Sequence, residues 1–374
     1  MAGVYLHIPF CKRLCAYCDF YKSVRLALID EVVFAMHREL LERRDYLHDR
    51  KIETLYFGGG TPSLVSVEQL AGLKRRVEEL FDCSSLDEVT LEANPDDLNP
   101  AYLAGLREAG FNRLSIGIQS FDDEELRWMN RRHTARQAEE VVREARDAGF
   151  SNLTIDLIFG VPGFGEELLR RSLDRALALD VEHISAYHLT IEPDTALGRR
   201  EARGELHAVE ETVSEREYAL VHETLTAAGY EHYEISNYAR PGFRARHNSA
   251  YWRGSEYLGI GPAAHSFDGS SRCWSLDTVE SYISAEPFRF ECEELSARDR
   301  LNEYLMTRLR TAEGISYGVI AERFGAASAE RIRREAAQPL SRGLLSSTPE
   351  GVKIPAEHFL LSDHLIGMLF EPEQ

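Results

Sequence analysis

The chain has 374 residues, 44% of them hydrophobic and 28% charged, which suits one large core with a smaller appended domain. Its formal net charge of -19 argues against a general binder of nucleic acid or anionic membranes, because both need basic surface, although a local basic pocket is still allowed. We find no secretory signal and no apolar run of spanning length, so a cytoplasmic protein that is not integral to a membrane is expected.

In the first half of the chain, six short β-branched or aromatic runs alternate with longer amphipathic segments. This alternation predicts an α/β fold with a parallel sheet, and the similar strand lengths favour a partial (β/α)6 TIM-like barrel; a Rossmann or flavodoxin-like open sheet is the alternative. The predicted strands are Gly3–Pro9, Thr54–Gly60, Glu88–Asn94, Arg113–Ser120, Asn152–Gly160 and His183–Ile191. The predicted helices are Glu31–Leu47, Val67–Leu80, Pro100–Ala109, Ala135–Ala148 and Glu166–Leu179.

After about residue 205 the alternation decays into a long helix and an aromatic-rich loop region, predicted at Ser214–Ala228 and Tyr230–Phe267. The C-terminal part predicts helices followed by a two-stranded hairpin, as in a winged-helix-like α+β module. It is not notably basic, which favours protein docking or a lid over DNA reading. Its predicted elements are the helices Asp299–Arg310, Ser316–Phe324 and Ser328–Gln338 (ending before Pro339), the hairpin in Leu344–Ile354, and a helix capped by Ser362-Asp363. The predicted domains are 1–205, 206–295 and 296–374.

Three cysteines, Cys11, Cys15 and Cys18, lie on one short loop directly after the first predicted strand. Three soft ligands this close indicate a soft metal site. A structural zinc site would need a fourth ligand, and although Asp19 or His7 is near, the spacing is not that of paired zinc knuckles. A [4Fe-4S] cluster held by three thiolates instead leaves one iron open to a small ligand. The other cysteines, Cys83, Cys273 and Cys292, are interpreted as structural or incidental thiols.

The pattern CX3CX2C after a first strand, with Tyr17 before the third cysteine, resembles the signature of the radical S-adenosylmethionine (SAM) superfamily. The resemblance implies that the open iron binds the methionine end of SAM and that the reduced cluster delivers an electron to its sulfonium. The glycine run Phe57-Gly-Gly-Gly60-Thr61 agrees, because glycines let backbone amides approach a ligand closely. Alone, such a run is an ordinary turn.

The chain resembles more closely the oxygen-independent coproporphyrinogen III oxidase subfamily, including its heme-chaperone branch. The motifs that carry this resemblance are Tyr5-Leu-His-Ile-Pro-Phe-Cys11, Gly58-Gly-Gly-Thr-Pro-Ser63, Leu91-Glu-Ala-Asn-Pro95, Arg113-Leu-Ser-Ile-Gly-Ile-Gln-Ser-Phe121, Asn130-Arg131, Asp156-Leu-Ile-Phe-Gly-Val-Pro162 and His247-Asn-Ser-Ala-Tyr-Trp252. The positions that it implies for SAM contact are Tyr5, Tyr17, Gly59, Gly60, Thr61, Glu92, Gln119, Arg131 and Asp156. Taken singly, Arg131 and Asp156 could equally form a barrel-rim ion pair.

Two features of this sequence differ from the dehydrogenases of the family and indicate to which branch the sequence is more similar. The resemblance implies a further cysteine two residues after the third in the dehydrogenases, whereas here Cys18-Asp19 is followed by Phe20. Those enzymes also carry an N-terminal extension ahead of the motif, and here the first cluster cysteine is residue 11. Together with the His247-Asn-Ser-Ala-Tyr-Trp252 motif, these differences are similar to the HemW-type heme chaperone. We therefore expect a heme carrier that delivers heme to membrane respiratory hemoproteins; an anaerobic dehydrogenase or another radical SAM enzyme acting on a tetrapyrrole is the alternative.

Heme binding also has an expectation at the level of residues. His247 is the predicted axial ligand, since a neutral imidazole ligates iron, and Tyr251 and Trp252 offer flat apolar surface to a macrocycle. Asn248 belongs to the same motif, whose alternative interpretation is a packed, hydrogen-bonded loop. The candidates for the propionates are Arg244, Arg246 and Arg253, and the spare ligands are His265 and His188.

Overall fold

The computed structural model describes residues 2–372, and its first half is built on six parallel strands in chain order. Neighbours in this order pair in register, beginning with Tyr5 beside Tyr56 on the first two strands. All six predicted strands are present, with ends within three residues of the expected ones. They are β1 (Ala2–Ile8), β2 (Ile52–Gly59), β3 (Glu88–Ala93), β4 (Arg113–Gln119), β5 (Leu153–Phe159) and β6 (His183–His188).

The helices between these strands cover the outer face of the sheet, as short parallel crossovers require. Their starts are set by local chemistry: Ser66 and Thr134 each form a capping box, and Asn99 caps a helix whose first residue is Pro100. Five of them bury their apolar sides against the strands in one continuous core, whereas Leu126, on the short helix after the fourth strand, belongs to a second and smaller apolar cluster. They are α1 (Ile29–Glu42), α2 (Val67–Leu80), α3 (Pro100–Glu108), α4 (Asp123–Trp128), α5 (Ala135–Asp147) and α6 (Gly165–Ala178).

The region predicted as an aromatic-rich loop is ordered and extends the sheet on both sides. Its elements, with the two helices that precede it, are α7 (Ala196–Ala202), α8 (Glu211–Ala227), β7 (Glu231–Glu234), β8 (Asn237–Ala239), α9 (Arg246–Trp252), β9 (Tyr257–Ile260) and β10 (His265–Phe267). Strand β9 pairs in parallel with β1, while β8 and β7 continue antiparallel from β6. Within the described range β1 and β6 therefore do not pair, and the barrel is partial, as predicted.

A further hairpin completes this sheet of twelve described strands: β11 (Ser271–Ser275) and β12 (Phe290–Glu294), separated by α10 (Val279–Ser284). Cys273 and Cys292 lie opposite each other on these two strands and form a disulfide. The interpretation of both as structural or incidental thiols was therefore wrong, because antiparallel pairing brings together cysteines that the sequence separates by 19 residues.

The C-terminal part consists of α11 (Ala297–Leu309), β13 (Ile315–Ser316), α12 (Tyr317–Phe324), α13 (Ala326–Ser341), β14 (Ser346–Ser347), β15 (Gly351–Lys353) and α14 (Ser362–Gly367). Its three short strands form a separate antiparallel sheet beside the helices, which confirms the winged-helix-like module. Two expected boundaries were wrong. Pro339 lies inside α13, and Ser362 is the first helical residue rather than a cap, because a 3-10 turn leads directly into α14. The division into 1–205, 206–295 and 296–374 stays a prediction.

Candidate cluster and cofactor site

The three predicted cluster cysteines lie on a closed loop at the carboxyl end of β1. Two hydrogen bonds close the loop at its base. The amide of Cys11 donates to the carbonyl of Ser23 (2.9 Å), and the amide of Ser23 donates to the carbonyl of Pro9 (2.6 Å). Inside it, the amide of Cys18 donates to the carbonyl of Cys15 at 3.4 Å. All three thiols are partly exposed and unpaired. The fold therefore presents them together at the edge where parallel barrels hold their chemistry.

Burial raises the pKa of Cys11, the Thr61 hydroxyl opposes this shift, and the neighbouring thiols of Cys15 and Cys18 raise it further. The three thiols therefore share one small region of the cysteine loop. Among the described residues, no three Cys, His, Asp or Glu side chains surround a position for a single metal ion. Thiolates around an iron-sulfur cluster bind different irons rather than one common ion, so this donor set fits a cluster.

A chain of hydrogen bonds joins two of these sulfurs across the barrel mouth. The guanidinium of Arg131 donates through Nη1 to Cys15 Sγ (3.2 Å) and through Nη2 to Asn94 Oδ1 (2.7 Å). The amide of Asn94 donates to Thr61 Oγ1 (3.1 Å), and that hydroxyl donates to Cys11 Sγ (3.5 Å). Hydrogen bonds to cluster sulfurs tune the reduction potential. Asn94 was missed from the sequence as a site residue, although the quoted Leu91-Glu-Ala-Asn-Pro95 motif contains it.

The glycine run at the end of β2 is packed between the cysteine loop and the barrel interior. Gly59 has φ +109°, and a side chain there would overlap the ring of His7 at 2.7 Å. A Cβ on Gly60 would approach the backbone oxygen of Phe10 to 2.7 Å. The amide of Gly59 donates to Glu92 Oε2 at 3.1 Å. These positions leave room only for glycine, so the backbone comes close to the cysteine loop.

Two half-buried carboxyl groups lie near the same mouth. Burial is the main cause that raises the pKa of Glu92 to about 7, although Tyr56 donates to its Oε1 at 2.7 Å. Burial likewise raises the pKa of Asp156 to about 6, and Ser115 donates to its Oδ1 at 3.4 Å. Carboxyl groups in this setting gain from ligands that bring hydroxyl or ammonium donors, such as a ribose or an amino acid.

The remaining predicted SAM residues lie on β1, on the cysteine loop and at the end of β4. Gln119 is buried at the end of β4 with φ 70°, and its side-chain nitrogen lies 2.9 Å from the position of a Cβ on Gly117. Burial is the main cause that raises the pKa of Tyr17, on the cysteine loop. Tyr5, on β1, has its pKa raised by burial and then by Glu92, and its hydroxyl lies 3.1 Å from His7 Nδ1. The structure thus brings all nine predicted SAM positions to one end of the barrel.

The His247 motif lies elsewhere, on α9 toward the amino ends of the strands. His247 Nδ1 is 2.7 Å from Thr54 Oγ1, and its Nε2 is 2.8 Å from the hydroxyl of Tyr251. Its own amide donates to Glu88 at the start of β3 (3.0 Å), and the side chain is only 2% exposed. Trp252, the last residue of α9, is half-buried. Both ring nitrogens of His247 are therefore engaged within the protein, in the hydrogen-bonded packing that was its alternative interpretation.

The three arginines predicted for the propionates line one cavity of about 270 Å³ together with Trp252. Asn248 is half-buried on α9. Arg244 is paired with Glu231 and Glu313, and Arg246 with Asp87. Arg253 also lines a larger cavity together with His265. His188 bonds to Ser214 at 2.9 Å, on the opposite side of the sheet from that cavity.

The buried His247 predicts a pH dependence of stability. Burial lowers its pKa to about 3, so between pH 6.5 and 3 the unfolded chain takes up a proton that the folded chain does not. Its contribution to stability is therefore lost as the pH falls. As the pH falls, the unfolding free energy of His247→Gln should therefore decrease less steeply than that of the original chain, by up to about 1.4 kcal/mol per pH unit. Urea unfolding between about pH 4 and 7 measures this slope, and His364→Gln, at an exposed histidine, is the control. Equal slopes in His247→Gln and the original chain would contradict the prediction.

Comparison with known proteins agrees with this geometry. Residues 5–176 match the radical SAM superfamily model, and residues 295–361 match the HemN C-terminal domain. The chain is 34% identical to the heme chaperone HemW of Bacillus subtilis, covering 98% of both chains. It is 38% identical to the heme chaperone HemW of Mycobacterium tuberculosis, covering 98% of this chain and 94% of that one. This chain belongs to the HemW family of radical SAM proteins.

Membership of the radical SAM superfamily and the HemW family implies that the cofactors of this chain are a [4Fe-4S] cluster and SAM. A mouse relative, the mitochondrial radical S-adenosyl methionine domain-containing protein 1, is 32% identical over 98% of this chain and 86% of its own. The solved structure of coproporphyrinogen III oxidase (HemN) from Escherichia coli covers 99% of this chain and 90% of its own with a TM-score of 0.84; at 23% identity it supports the fold alone. In residues 2–372 of this HemW-family chain, no helix has the length and apolarity needed to cross a bilayer.

Proposed function

We infer that this protein is a heme chaperone: a radical SAM protein that binds heme and transfers it to acceptor hemoproteins. The observation that carries this function is the similarity to curated HemW heme chaperones along almost the full length of both chains. Phe20 supports it, because the dehydrogenases resembled in sequence have a cysteine at this position and here an aromatic side chain, 70% exposed, follows the cluster loop.

The same proposal assigns the cluster to Cys11, Cys15 and Cys18. Its support is the loop closed by hydrogen bonds at its base, and the donors from Thr61 and Arg131 onto two of the sulfurs. When bound, the cluster and SAM together supply one-electron chemistry. The residues that would contact SAM are Tyr5, Tyr17, Gly59, Gly60, Thr61, Glu92, Gln119, Arg131 and Asp156.

The carboxylates and the guanidinium have distinct roles in this arrangement. Glu92 and Asp156 are half-buried acceptors at the mouth, suited to hydroxyl and ammonium groups of the ligand. Arg131 is half-buried as well, and its Nη atoms donate to Cys15, to Asn94 and to the carbonyl of Gly117. Its guanidinium is the group in this site that would attract the carboxylate of SAM. The protein's part is therefore to orient SAM against the open side of the cluster.

The acceptors in this proposal are membrane respiratory hemoproteins, contacted transiently, and the place of transfer is the cytoplasmic side. The winged-helix-like module offers the docking element, in line with the protein-docking interpretation of its sequence. In a chain of net charge -19, such contacts are expected to be with basic or neutral partner surfaces.

The experiment separates carrier from enzyme. The cluster is reconstituted without oxygen, and hemin uptake is followed by absorbance. Loaded protein is then mixed with heme-depleted respiratory membranes, and we expect heme to leave the protein and oxidase activity to return to the membranes. In parallel, coproporphyrinogen III and SAM are added and the products analysed. Formation of protoporphyrinogen without uptake of hemin would replace the chaperone function by the dehydrogenase.

A further inference from the structure

A cavity of about 660 Å³ lies beside the predicted SAM site and shares Tyr5 with it. One end reaches the segment after the last cluster cysteine, at Phe20 and Tyr21, and the far wall is α11 of the C-terminal part. Small-molecule sites have volumes of roughly 300 to 1,000 Å³. The cavity is therefore large enough for a bulky ligand, and it opens beside the cluster loop.

Flat aromatic side chains form much of its wall. They come from separate parts of the chain: Tyr5 on β1, Tyr251 on α9, Tyr257 on β9, Phe267 on β10 and Tyr304 on α11. The ring of Tyr251 meets that of Tyr257 edge to face, with centroids 4.6 Å apart. Such surfaces suit a planar, largely apolar ligand.

The cavity is also rich in cations, against the charge of the whole molecule. Four arginines line it, and Arg272 is held by Glu303 at 2.9 Å. Arg253, Arg300 and Arg323 have no carboxylate within ion-pair distance in the part of the chain that the structure describes. In a chain with 62 acidic and 43 basic residues, three unpaired arginines at one cavity indicate an anionic ligand with carboxylate-like groups.

One imidazole in the cavity has both nitrogens unengaged. His265, on β10, is exposed to the cavity and stacks on Trp274 with ring centroids 5.9 Å apart, and no hydrogen bond to its ring is formed by residues 2–372. His7, the other cavity imidazole, is instead bonded to Tyr5 (3.1 Å) and to the carbonyl of Tyr21 (3.4 Å). A neutral imidazole with a free nitrogen is the form that ligates heme iron.

Hydrogen bonds with two buried side chains on and after α1 fix the loop that precedes His265. Glu39 on α1 accepts from the amide of Gly261 (2.8 Å), and Arg43 donates to the carbonyl of Gly259 (2.8 Å). Both side chains are buried, and Ala263, which lines the cavity, has φ 59°. A backbone fixed in this way presents the imidazole in one place, as a preorganised ligand requires.

We propose that this cavity is the heme site, with His265 as the axial iron ligand and Arg253, Arg300 and Arg323 as partners of the two propionates. The proposal rests on the heme-carrier function inferred above and gives that function a location. His247 acts indirectly: its Nε2 is 2.8 Å from the Tyr251 hydroxyl, and Tyr251 forms part of the cavity wall.

The test uses the full-length, cluster-reconstituted protein and three probes: hemin, iron-free protoporphyrin IX and hemin dimethyl ester. In His265→Ala we expect hemin affinity to fall about tenfold or more, whereas protoporphyrin affinity stays unchanged because no iron bond is lost. Added imidazole should restore the absorbance of the bound hemin. The exposed His364→Ala is the matched control.

The triple change Arg253→Gln, Arg300→Gln and Arg323→Gln should weaken hemin and protoporphyrin alike by about tenfold or more, but not the dimethyl ester, which has no propionate charge. Arg246→Gln, which removes an ion pair outside the cavity, is the control. Normal hemin binding in His265→Ala, with loss in His247→Gln, would overturn the proposed site and leave the carrier function standing. Absence of hemin binding by the unmodified protein would remove both.

Discussion

Serine in place of Cys11, Cys15 or Cys18 is expected to leave the protein without its cluster. The three thiols are the only cysteines on the loop, and a serine oxygen is too hard a ligand to replace a thiolate on iron. Iron should fall from about four atoms per chain to nearly none, with loss of the broad visible absorbance of the cluster. Iron and sulfide analysis after anaerobic reconstitution measures this directly.

Cys83→Ser is the matched control. This thiol is half-buried just after α2, and burial raises its pKa to about 11, so it is a poor source of thiolate. We expect the Cys83→Ser protein to bind the full amount of iron. Full iron in Cys15→Ser, or loss of iron in Cys83→Ser, would contradict the assignment of the cluster.

Gly60→Ala is expected to have the second largest effect. The added Cβ would lie 2.7 Å from the carbonyl oxygen of Phe10 and 2.9 Å from its amide nitrogen, and both atoms belong to the backbone that leads into Cys11. The cysteine loop must therefore move, because no side chain can rotate away. We expect SAM affinity to fall by about tenfold or more and cluster content to fall with it. Equilibrium binding of SAM to the reconstituted protein measures the first effect.

The control for this change is Gly72→Ala, on α2. The nearest atom to its added Cβ is 3.7 Å away, an ordinary contact, and alanine is the better helix former by about 0.5 to 1 kcal/mol. The protein should therefore be slightly more stable and bind SAM normally. SAM affinity in Gly60→Ala equal to that in Gly72→Ala would show that the close approach of Gly60 to Phe10 does not matter.

Local sequence patterns predict the barrel well because each strand and helix carries its own signal. The strand from Arg113 ends at Gln119 within one residue of expectation, and α2 at Val67–Leu80 has the predicted bounds. The sequence signals for helix caps and for the turn after each apolar run span only a few neighbouring residues. The predicted SAM residues converge because the carboxyl ends of parallel strands meet at one edge.

Features that depend on distant pairing could not be predicted. The link from Arg131 through Asn94 to Thr61 joins the loop after α4 to the ends of β3 and β2. The pairing of Cys273 with Cys292 follows from a hairpin whose register no local pattern reveals. Pro339 was expected to end a helix, yet residues packed around it keep α13 helical to Ser341. Tertiary packing decided each of these cases.

The predicted heme residues illustrate the same limit. The motif at His247 has the composition of a ligand site, but the fold places it at the amino ends of the strands, where Thr54 and Glu88 form hydrogen bonds with His247. His265, only a spare candidate in the sequence, is instead the cavity imidazole without a hydrogen bond among the described residues. A single chain shows which residues can ligate iron, whereas only the fold shows which of them is accessible.

An open sheet has two free edges, each a template for pairing with another chain and so a route to aggregation. One edge, β7, is covered by the chain's own backbone: Glu234 bridges to Thr311, and the amide of Ala312 donates to Tyr233 at 3.0 Å. The other, β12, carries exposed glutamates in the stretch Phe290–Glu294. A second copy aligned on that edge would bring like charges together. The partial barrel can therefore stay open beside its cluster and cavity without recruiting strands from neighbouring molecules.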